Sequence, residues 1–290
     1  MSYLQRIAEC NQYDPTNYLA FEIQGEQLGW TSQHFAEALS QYPDTFNITD
    51  TVVTFQKSLN TAEKISETAA IVFAELHEKG VIDTWVDEIY PVVMNFGEKA
   101  RMHVERAATT YLGIKSFGVH ANGLVKKSDG IYIWIGTRTQ AKPFWPGKLD
   151  QMVAGGQPAG ISLLDNLIKE AAEEANIPQP IAEKAEYITS LSYCSEGDRG
   201  INPDTLFIYD LWLPETFIPE NTDGEVESFQ LVSLEQLASL VESTTDFKEN
   251  CNLVNIDLLL RHQIIDSNHQ DYSEIRNKLY SPAVELFSEG

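Results

Sequence analysis

Positive charge and cysteine are both scarce in this sequence. Of its 290 residues only 20 are Lys or Arg, against 43 Asp or Glu, so the formal net charge at pH 7 is −23. This balance argues against a nucleic-acid partner, which requires a basic surface. An anionic substrate would need local positive charge or a bound metal to attract it. The three cysteines, Cys10, Cys194 and Cys251, are an odd number without metal-ligand spacing, so we expect reduced thiols and a cytoplasmic location.

Long apolar runs are missing as well. No stretch of about 18 apolar residues occurs, and residues 1–15 lack the apolar segment of a secretory signal. We therefore expect neither a membrane span nor secretion. Hydrophobic content of 43% and charged content of 22% are those of an ordinary globular protein, long enough for one large domain or two of average size.

A glycine-rich turn followed by an amphipathic helix stands out at residues 154–177. Ser162, with Asp165 three residues later, indicates the start of the helix. At about 100° per residue, the apolar residues share one side and the acidic residues gather on the other. The apolar side consists of Leu164, Leu167, Ile168, Ala171 and Ala175, and the acidic side of Glu170, Glu173 and Glu174.

Three carboxylates on neighbouring turns of one helix repel each other, so something must compensate them. A hard divalent cation is the natural candidate, because Mg²⁺ sites combine a few carboxylates with substrate phosphates. The glycines before the helix allow the backbone to approach a ligand closely. A solvated acidic face is the alternative that composition alone leaves open.

The segment resembles a Nudix box. That pattern is Gly, five residues, Glu, seven residues, Arg-Glu, an apolar residue, any residue, Glu-Glu, any residue, Gly. In this chain Lys169 takes the arginine position, Glu170 follows it, and Glu173 with Glu174 supplies the paired acids. Asn176 replaces the last glycine, and either residue suits a helix C-terminal turn.

The match departs from the pattern in two further places. Ile161 stands where the first glutamate should be, and the loop counted from Gly156 is one residue short. Four other motifs resemble one branch of the Nudix family, which tolerates the missing glutamate, has its own N-terminal domain and is similar to the Nudix part of fungal thiamine pyrophosphokinase-related proteins. These motifs are residues 118–123, 134–138, 145–150 and 223–227.

This resemblance implies an α/β protein: a Nudix α/β/α sandwich with a mixed sheet, preceded by a smaller α+β domain. The order of predicted strands and helices fits such a sandwich. We place the N-terminal domain at residues 1–105 and the Nudix domain at 106–290. Two roles are open for the N-terminal domain, namely recognition of the substrate or an interface in a homodimer.

The activity implied by the resemblance is metal-dependent hydrolysis of a diphosphate bond in a small organic diphosphate. Members of the branch are associated with damaged, for example oxidised, thiamine diphosphate, which gives the monophosphate and phosphate. The residues themselves do not identify the substrate. The same resemblance implies Mg²⁺ or Mn²⁺ as cofactor, with the carbonyl of Gly155 and the carboxylates of Glu170, Glu173 and Glu174 as ligands.

The reaction needs a base, and because the first glutamate of the box is missing, Glu225 and Glu227 are candidates for it. Their spacing of two points both side chains the same way in an extended segment. Glu174 is a further candidate, beside Glu170 in the catalytic group.

For substrate binding we expect the cations Arg138, Lys142 and Lys148 near the diphosphate and Trp145 against a heteroaromatic ring. Cations at strand edges are also common without any such role.

Two other functions remain open at this stage. A prenyl diphosphate isomerase would use a cysteine and a glutamate, and Cys194 is the nearby thiol, although burial would make it inert. A ligand-sensing module with an eroded box would explain Ile161 and Lys169, because fold and function are separable.

Overall fold

In this computed structural model, the described residues are 2–141 and 144–281. The first part of the chain forms α1 (Tyr3–Glu9), β1 (Tyr18–Ile23), β2 (Glu26–Ser32), α2 (Gln33–Leu39), β3 (Phe46–Ile48), β4 (Val52–Phe55), α3 (Ala62–Glu78), β5 (Ile89–Val92), β6 (Met102–Glu105) and α4 (Thr109–Leu112). The second part forms β7 (Ser116–Lys127), β8 (Gly130–Arg138), β9 (Leu149–Gln151), β10 (Val153–Gly156), α5 (Leu163–Ala175), α6 (Gln179–Ala182), β11 (Glu186–Gly197), β12 (Gly200–Leu213), β13 (Val226–Ser233), α7 (Leu234–Ser243), α8 (Cys251–Arg261) and α9 (Tyr272–Tyr280).

The N-terminal region is a small α+β unit. Its four-stranded sheet has the order β2-β1-β4-β3, in which β1 and β4 run parallel and the other pairs antiparallel. The side chains of Phe21, Phe35 and Phe73 are fully buried between this sheet and α2 and α3. The β-hairpin of β5 and β6 joins the same core through Tyr90 and Met102.

A mixed sheet forms the centre of the second unit. Its main path is β11-β12-β7-β8-β13, and β10 and β9 add to the edges of β7 and β8. The central pair β12 and β7 is parallel, and its neighbours are antiparallel. Helices α5 and α6 cover one face, and α7, α8 and α9 cover the other. This arrangement confirms the expected α/β/α sandwich with a mixed sheet and an α+β region before it.

The first helix packs against helices of the second unit. Tyr3, Ile7 and Cys10 are buried in the core formed by α7, α8 and α9, far along the sequence. Residues 106–114, beyond the expected boundary, pack in the core of the N-terminal unit, where Leu112 of α4 is buried with Phe21 and Phe35. A Cβ added at Gly29 would lie 2.2 Å from the carbonyl oxygen of Leu112, so the two backbones are in direct contact. The boundary at residue 105 remains a prediction.

Within the described ranges, no helix combines the length and the apolar character needed to span a membrane.

Candidate active site

Helix α5 begins and ends where the sequence indicates. The Oγ of Ser162 accepts a hydrogen bond from the backbone N–H of Asp165 at 3.1 Å, which satisfies one of the free donors of the first turn. Asn176 ends the helix in the left-handed conformation, with φ of 52°. The capped helix is short and fixed at both ends, so its side chains have defined positions.

The three glutamates of α5 do not all lie on the side opposite the apolar residues, where the helical spacing placed them. Glu174 is only 7% exposed, and the side chain of Glu170 is 13% exposed, whereas that of Glu173 is 47% exposed. Glu174 follows Leu167 by seven residues, so it lies on the face that packs against the sheet. Leu164, expected on the inner side, is exposed.

A buried cluster of carboxylates surrounds Glu174. Its Oε2 accepts a hydrogen bond from the backbone N–H of Ala154 in β10 at 2.8 Å. Burial, together with the neighbouring carboxylates of Glu170, Asp150 and Glu225, raises the pKa of Glu174 well above its ordinary value. A free carboxylate in this position is electrostatically costly, and a bound cation would relieve that cost.

Glu170 lies directly against β10. A Cβ added at Gly155 would be 2.3 Å from the carboxyl carbon of Glu170, so only glycine leaves room for this side chain. Burial raises the pKa of Glu170, although Lys169 counteracts that effect with an ion pair of 3.2 Å. Lys169 also reaches Glu173 at 3.2 Å. The lysine at the arginine position of the box thus pairs with two of its acids.

The loop before α5 has the length of the family pattern. Counted from Gly155, which contacts Glu170, five residues precede Ile161. The shortened loop inferred from Gly156 is therefore wrong, because Gly155 is the glycine that faces the acidic side chains.

The donor set suits a hard divalent cation. Glu170 and Glu174 offer carboxylate oxygens from successive turns of α5, next to the backbone of Gly155. Across the described part of the chain, no salt bridge reaches Glu174. Carboxylate and carbonyl oxygens are the ligands that Mg²⁺ and Mn²⁺ prefer. Glu173 approaches from the exposed side of the helix.

A narrow cleft leads from Glu174 to the edge of β13. Its lining residues are Gly136, Arg138, Asp150, Gln151, Ala154, Glu174, Glu225 and Val226. Glu225 is half-buried and lines this cleft, whereas Glu227 is exposed. A β-bulge explains the difference: Val226 pairs with Arg138 and Ser228 with Thr137, so Glu227 is the extra residue. The expectation that both glutamates point the same way is wrong.

Arg138 lies in the cleft, but its guanidinium is engaged by the protein. It forms an ion pair of 3.0 Å with Asp150 and donates to the carbonyl oxygens of Trp145 at 3.2 Å and Phe144 at 3.1 Å. These bonds hold the backbone of the turn that carries Phe144 and Trp145. Direct contact between Arg138 and a phosphate remains a prediction.

The other proposed substrate residues are more scattered. Lys148 donates to the carbonyl oxygen of Thr245 and lines a separate surface groove. Trp145 is 43% exposed, and its Nε1 donates to Glu249 at 2.6 Å. Lys142 lies outside the described residues, so its predicted role has no structural counterpart here.

A buried polar network behind the cleft was not foreseen from the sequence. The thiol of Cys251 donates to Asp150 at 2.9 Å, and His120 Nδ1 lies 2.9 Å from Gln151 Oε1. Burial alone would raise the pKa of Asp150, but Lys248, His120 and Arg138 hold it below its ordinary value. Asp150 is the last residue of the motif at residues 145–150, and this motif is the only feature of the sequence that indicated Asp150.

The thiol required for an isomerase is not at the cleft. Cys194 is fully buried in β11, and burial raises its pKa to about 12, so it is an inert thiol. The cysteine nearest to the carboxylates is Cys251, which is also fully buried. This geometry disfavours the isomerase alternative.

Comparisons with known proteins extend over both units. Residues 2–116 match a family model described as a domain of unknown function, DUF4743. The chain is 38% identical over 288 residues to Nudix hydrolase 20, chloroplastic, of Arabidopsis thaliana, which covers 96% of this chain and 77% of that protein. It is 37% identical over 281 residues to Nudix hydrolase 24, chloroplastic, of the same plant, with coverage of 96% and 77%.

A solved structure shows a more distant likeness. The NUDIX domain of Shewanella oneidensis NrtR, complexed with ADP ribose, is 13% identical, with a TM-score of 0.40. The likeness covers 52% of this chain and 88% of that one. The word chloroplastic belongs to the names of the two plant relatives, and a cytoplasmic location for this chain remains a prediction.

Proposed function

This chain belongs to the Nudix hydrolase family and is a Nudix-type diphosphate hydrolase, and we propose that its reaction depends on Mg²⁺ or Mn²⁺ held by Gly155, Glu170, Glu173 and Glu174. The observation that carries this proposal is the burial of Glu174 beside Glu170, Asp150 and Glu225. Several negative groups in a low-dielectric cleft favour a divalent cation.

When bound, the metal supplies positive charge for the diphosphate oxygens and lowers the pKa of the attacking water. The residues of the chain do the rest. Glu174 is held by the N–H of Ala154, and Glu170 is held by contact with Gly155, so both carboxylates are preorganised. Water attacks one phosphorus, the bond from that phosphorus to the bridging oxygen breaks, and Glu225 accepts the proton of the water.

Glu225 and Glu227 provide a matched pair for testing this base. We expect Glu225→Gln to reduce kcat by about 100-fold or more, the usual contribution of a general base. Glu227→Gln should retain nearly full activity, because its side chain points away from the cleft at the bulge. Steady-state phosphate release measures both. Equal losses in the two variants would contradict the assignment of Glu225.

For the substrate we propose an oxidised thiamine diphosphate, hydrolysed to the monophosphate and phosphate. The motifs at residues 118–123, 134–138, 145–150 and 223–227 support this choice by their resemblance to the thiamine-related branch. Phe144 and Trp145 add two partly exposed aromatic rings on the turn whose backbone is bound by Arg138, and such rings are suited to stacking on a heteroaromatic ring. A relation of the N-terminal unit to thiamine pyrophosphokinase-like proteins is part of the same proposal.

The test is a panel of sugar, nucleoside, prenyl and thiamine-type diphosphates, including oxidised thiamine diphosphate, assayed for phosphate with Mg²⁺, with Mn²⁺ and with EDTA. We expect the highest kcat/KM for the oxidised thiamine compound and no turnover in EDTA. Turnover that persists in EDTA would contradict the metal proposal. Preference for another diphosphate would contradict the proposed substrate but not the proposed reaction class.

A further inference from the structure

We propose that Tyr90 and Arg106, both from the N-terminal unit, form a subsite that binds a phosphate of the substrate beside Glu170. The inference rests on the proposed diphosphate hydrolysis and deepens it, because it gives the N-terminal unit a direct role in binding. It concerns residues that no sequence motif marked, and it follows from how the two units meet at β10.

The N-terminal unit approaches β10 at Gly156. A Cβ added at Gly156 would lie 1.8 Å from the hydroxyl oxygen of Tyr90 and 3.1 Å from the guanidinium carbon of Arg106. The preceding residue, Gly155, meets the carboxylate of Glu170 in the same way. Two successive glycines thus bring Glu170 of α5, together with Tyr90 of β5 and Arg106 after β6, against one short strand.

Tyr90 presents a hydroxyl group without a protein partner. The residue is only 3% exposed, and its ring is packed in the core of the N-terminal unit. Among residues 2–141 and 144–281, none forms a hydrogen bond with its hydroxyl group, and the hydroxyl oxygen is not one of the fully buried unpaired atoms, so a ligand can reach it. A buried phenol normally finds a hydrogen-bond partner. A phosphate oxygen beside Gly156 would be such a partner.

Arg106 retains free donors next to that hydroxyl. Its Nη1 forms an ion pair of 2.8 Å with Glu88, and its guanidinium carbon lies 5.7 Å from the centre of the Tyr90 ring. Its Nε and Nη2 make no hydrogen bond within the described part of the chain. The side chain is 43% exposed, so a ligand can reach it.

The charge balance of the site explains why this cation matters. The carboxylates of α5 repel a diphosphate, and the chain as a whole carries −23. Arg138 donates to Asp150 and to backbone carbonyl oxygens, and Lys148 donates to the carbonyl oxygen of Thr245. Arg106 has donors left, and a guanidinium matches the geometry of phosphate oxygens.

Two variants test the subsite. Tyr90→Phe removes only the hydroxyl, so the packed ring remains, and Arg106→Ala removes the cation. With a diphosphate that the wild-type enzyme hydrolyses, we expect KM to rise about tenfold for Tyr90→Phe and about 10- to 100-fold for Arg106→Ala, with kcat changed far less. Arg106→Lys should recover part of the loss. Arg101→Ala is the matched control, because Arg101 is another arginine of the N-terminal unit, and it forms ion pairs with Glu26 and Glu98.

Calorimetric titrations separate this inference from the proposed function. Mn²⁺ should bind wild type and Arg106→Ala equally, and inorganic pyrophosphate with Ca²⁺ should bind Arg106→Ala at least about tenfold more weakly. Weakened Mn²⁺ binding would overturn the subsite, because Arg106 would then act by placing Glu170. Unchanged KM and pyrophosphate affinity in an active enzyme would also overturn it. If no diphosphate is hydrolysed but pyrophosphate binding still depends on Arg106, the proposed function fails and the subsite stands.

Discussion

Replacing Glu174 by Gln should reduce kcat by about 100-fold or more and, at the same time, stabilise the metal-free protein. The amide oxygen can still accept the hydrogen bond from Ala154, so the position of the side chain is kept. What is lost is the negative charge that we propose to hold the cation. Steady-state phosphate release measures the first effect, and thermal unfolding in EDTA measures the second.

The stability effect has a defined pH dependence. Since the pKa of Glu174 is higher in the folded protein than its ordinary value of 4.5, the folded state binds the proton more tightly than the unfolded state. The wild-type protein in EDTA therefore loses stability as the pH rises from about 4.5 toward the raised pKa. Glu174→Gln should lack this loss and show a higher Tm at pH 8, by a few degrees for about 1 kcal/mol.

Glu67→Gln is the matched control, since Glu67 is an exposed glutamate in the middle of α3. It should change neither kcat nor the pH dependence of Tm. If Glu174→Gln turns over at the wild-type rate with saturating Mg²⁺, Glu174 is not part of the catalytic group. If its Tm in EDTA falls instead of rising, the buried charge of Glu174 does not destabilise the metal-free protein.

Replacing Gly155 by Ala should lower kcat about 100-fold by displacing Glu170, with a much smaller effect on folding. The added methyl would occupy the position of the Glu170 carboxyl group, 2.3 Å from its carbon and 2.8 Å from its Oε1. The flexible end of Glu170 can move away, so the strand survives and the proposed metal ligand is misplaced. Mn²⁺ affinity measured by calorimetry should fall together with kcat.

Gly197→Ala provides the control for this substitution. Gly197 ends β11, and a Cβ there meets no atom within 4 Å. Its φ angle does not require glycine, so alanine fits without strain. Gly197→Ala should match wild type in kcat and Mn²⁺ affinity. Wild-type Mn²⁺ affinity in Gly155→Ala would show that Glu170 does not hold the cation.

The two predictions depend on different links between α5 and β10. Glu174 is joined to Ala154 by a hydrogen bond, and Glu170 is joined to Gly155 by close packing. Together these two contacts hold the carboxylates of α5 against the short strand β10. The proposed subsite at Gly156 extends the same strand to the N-terminal unit, so β10 connects the metal ligands with the candidate phosphate cation.

The sequence alone determined the local elements of the site and the fold class. Hydrophobic periodicity, the Ser162 cap and the left-handed Asn176 are properties of neighbouring residues, so they could be inferred without a structure. The family motifs added the sandwich and the acids of α5. These inferences succeeded because short-range hydrogen bonds and side-chain spacing do not depend on distant parts of the chain.

The tertiary structure decided which of those acids are buried and what they face. Spacing alone placed three glutamates together on the side of the helix opposite the apolar residues, but packing against the sheet buried Glu174 and left Glu173 outside. A single bulge separated Glu225 from Glu227, and a contact between units placed Arg106 and Tyr90 beside Gly156. Such facts depend on residues many positions apart, whose contacts are set by the packing of whole sheets and helices and carry no local sequence signal.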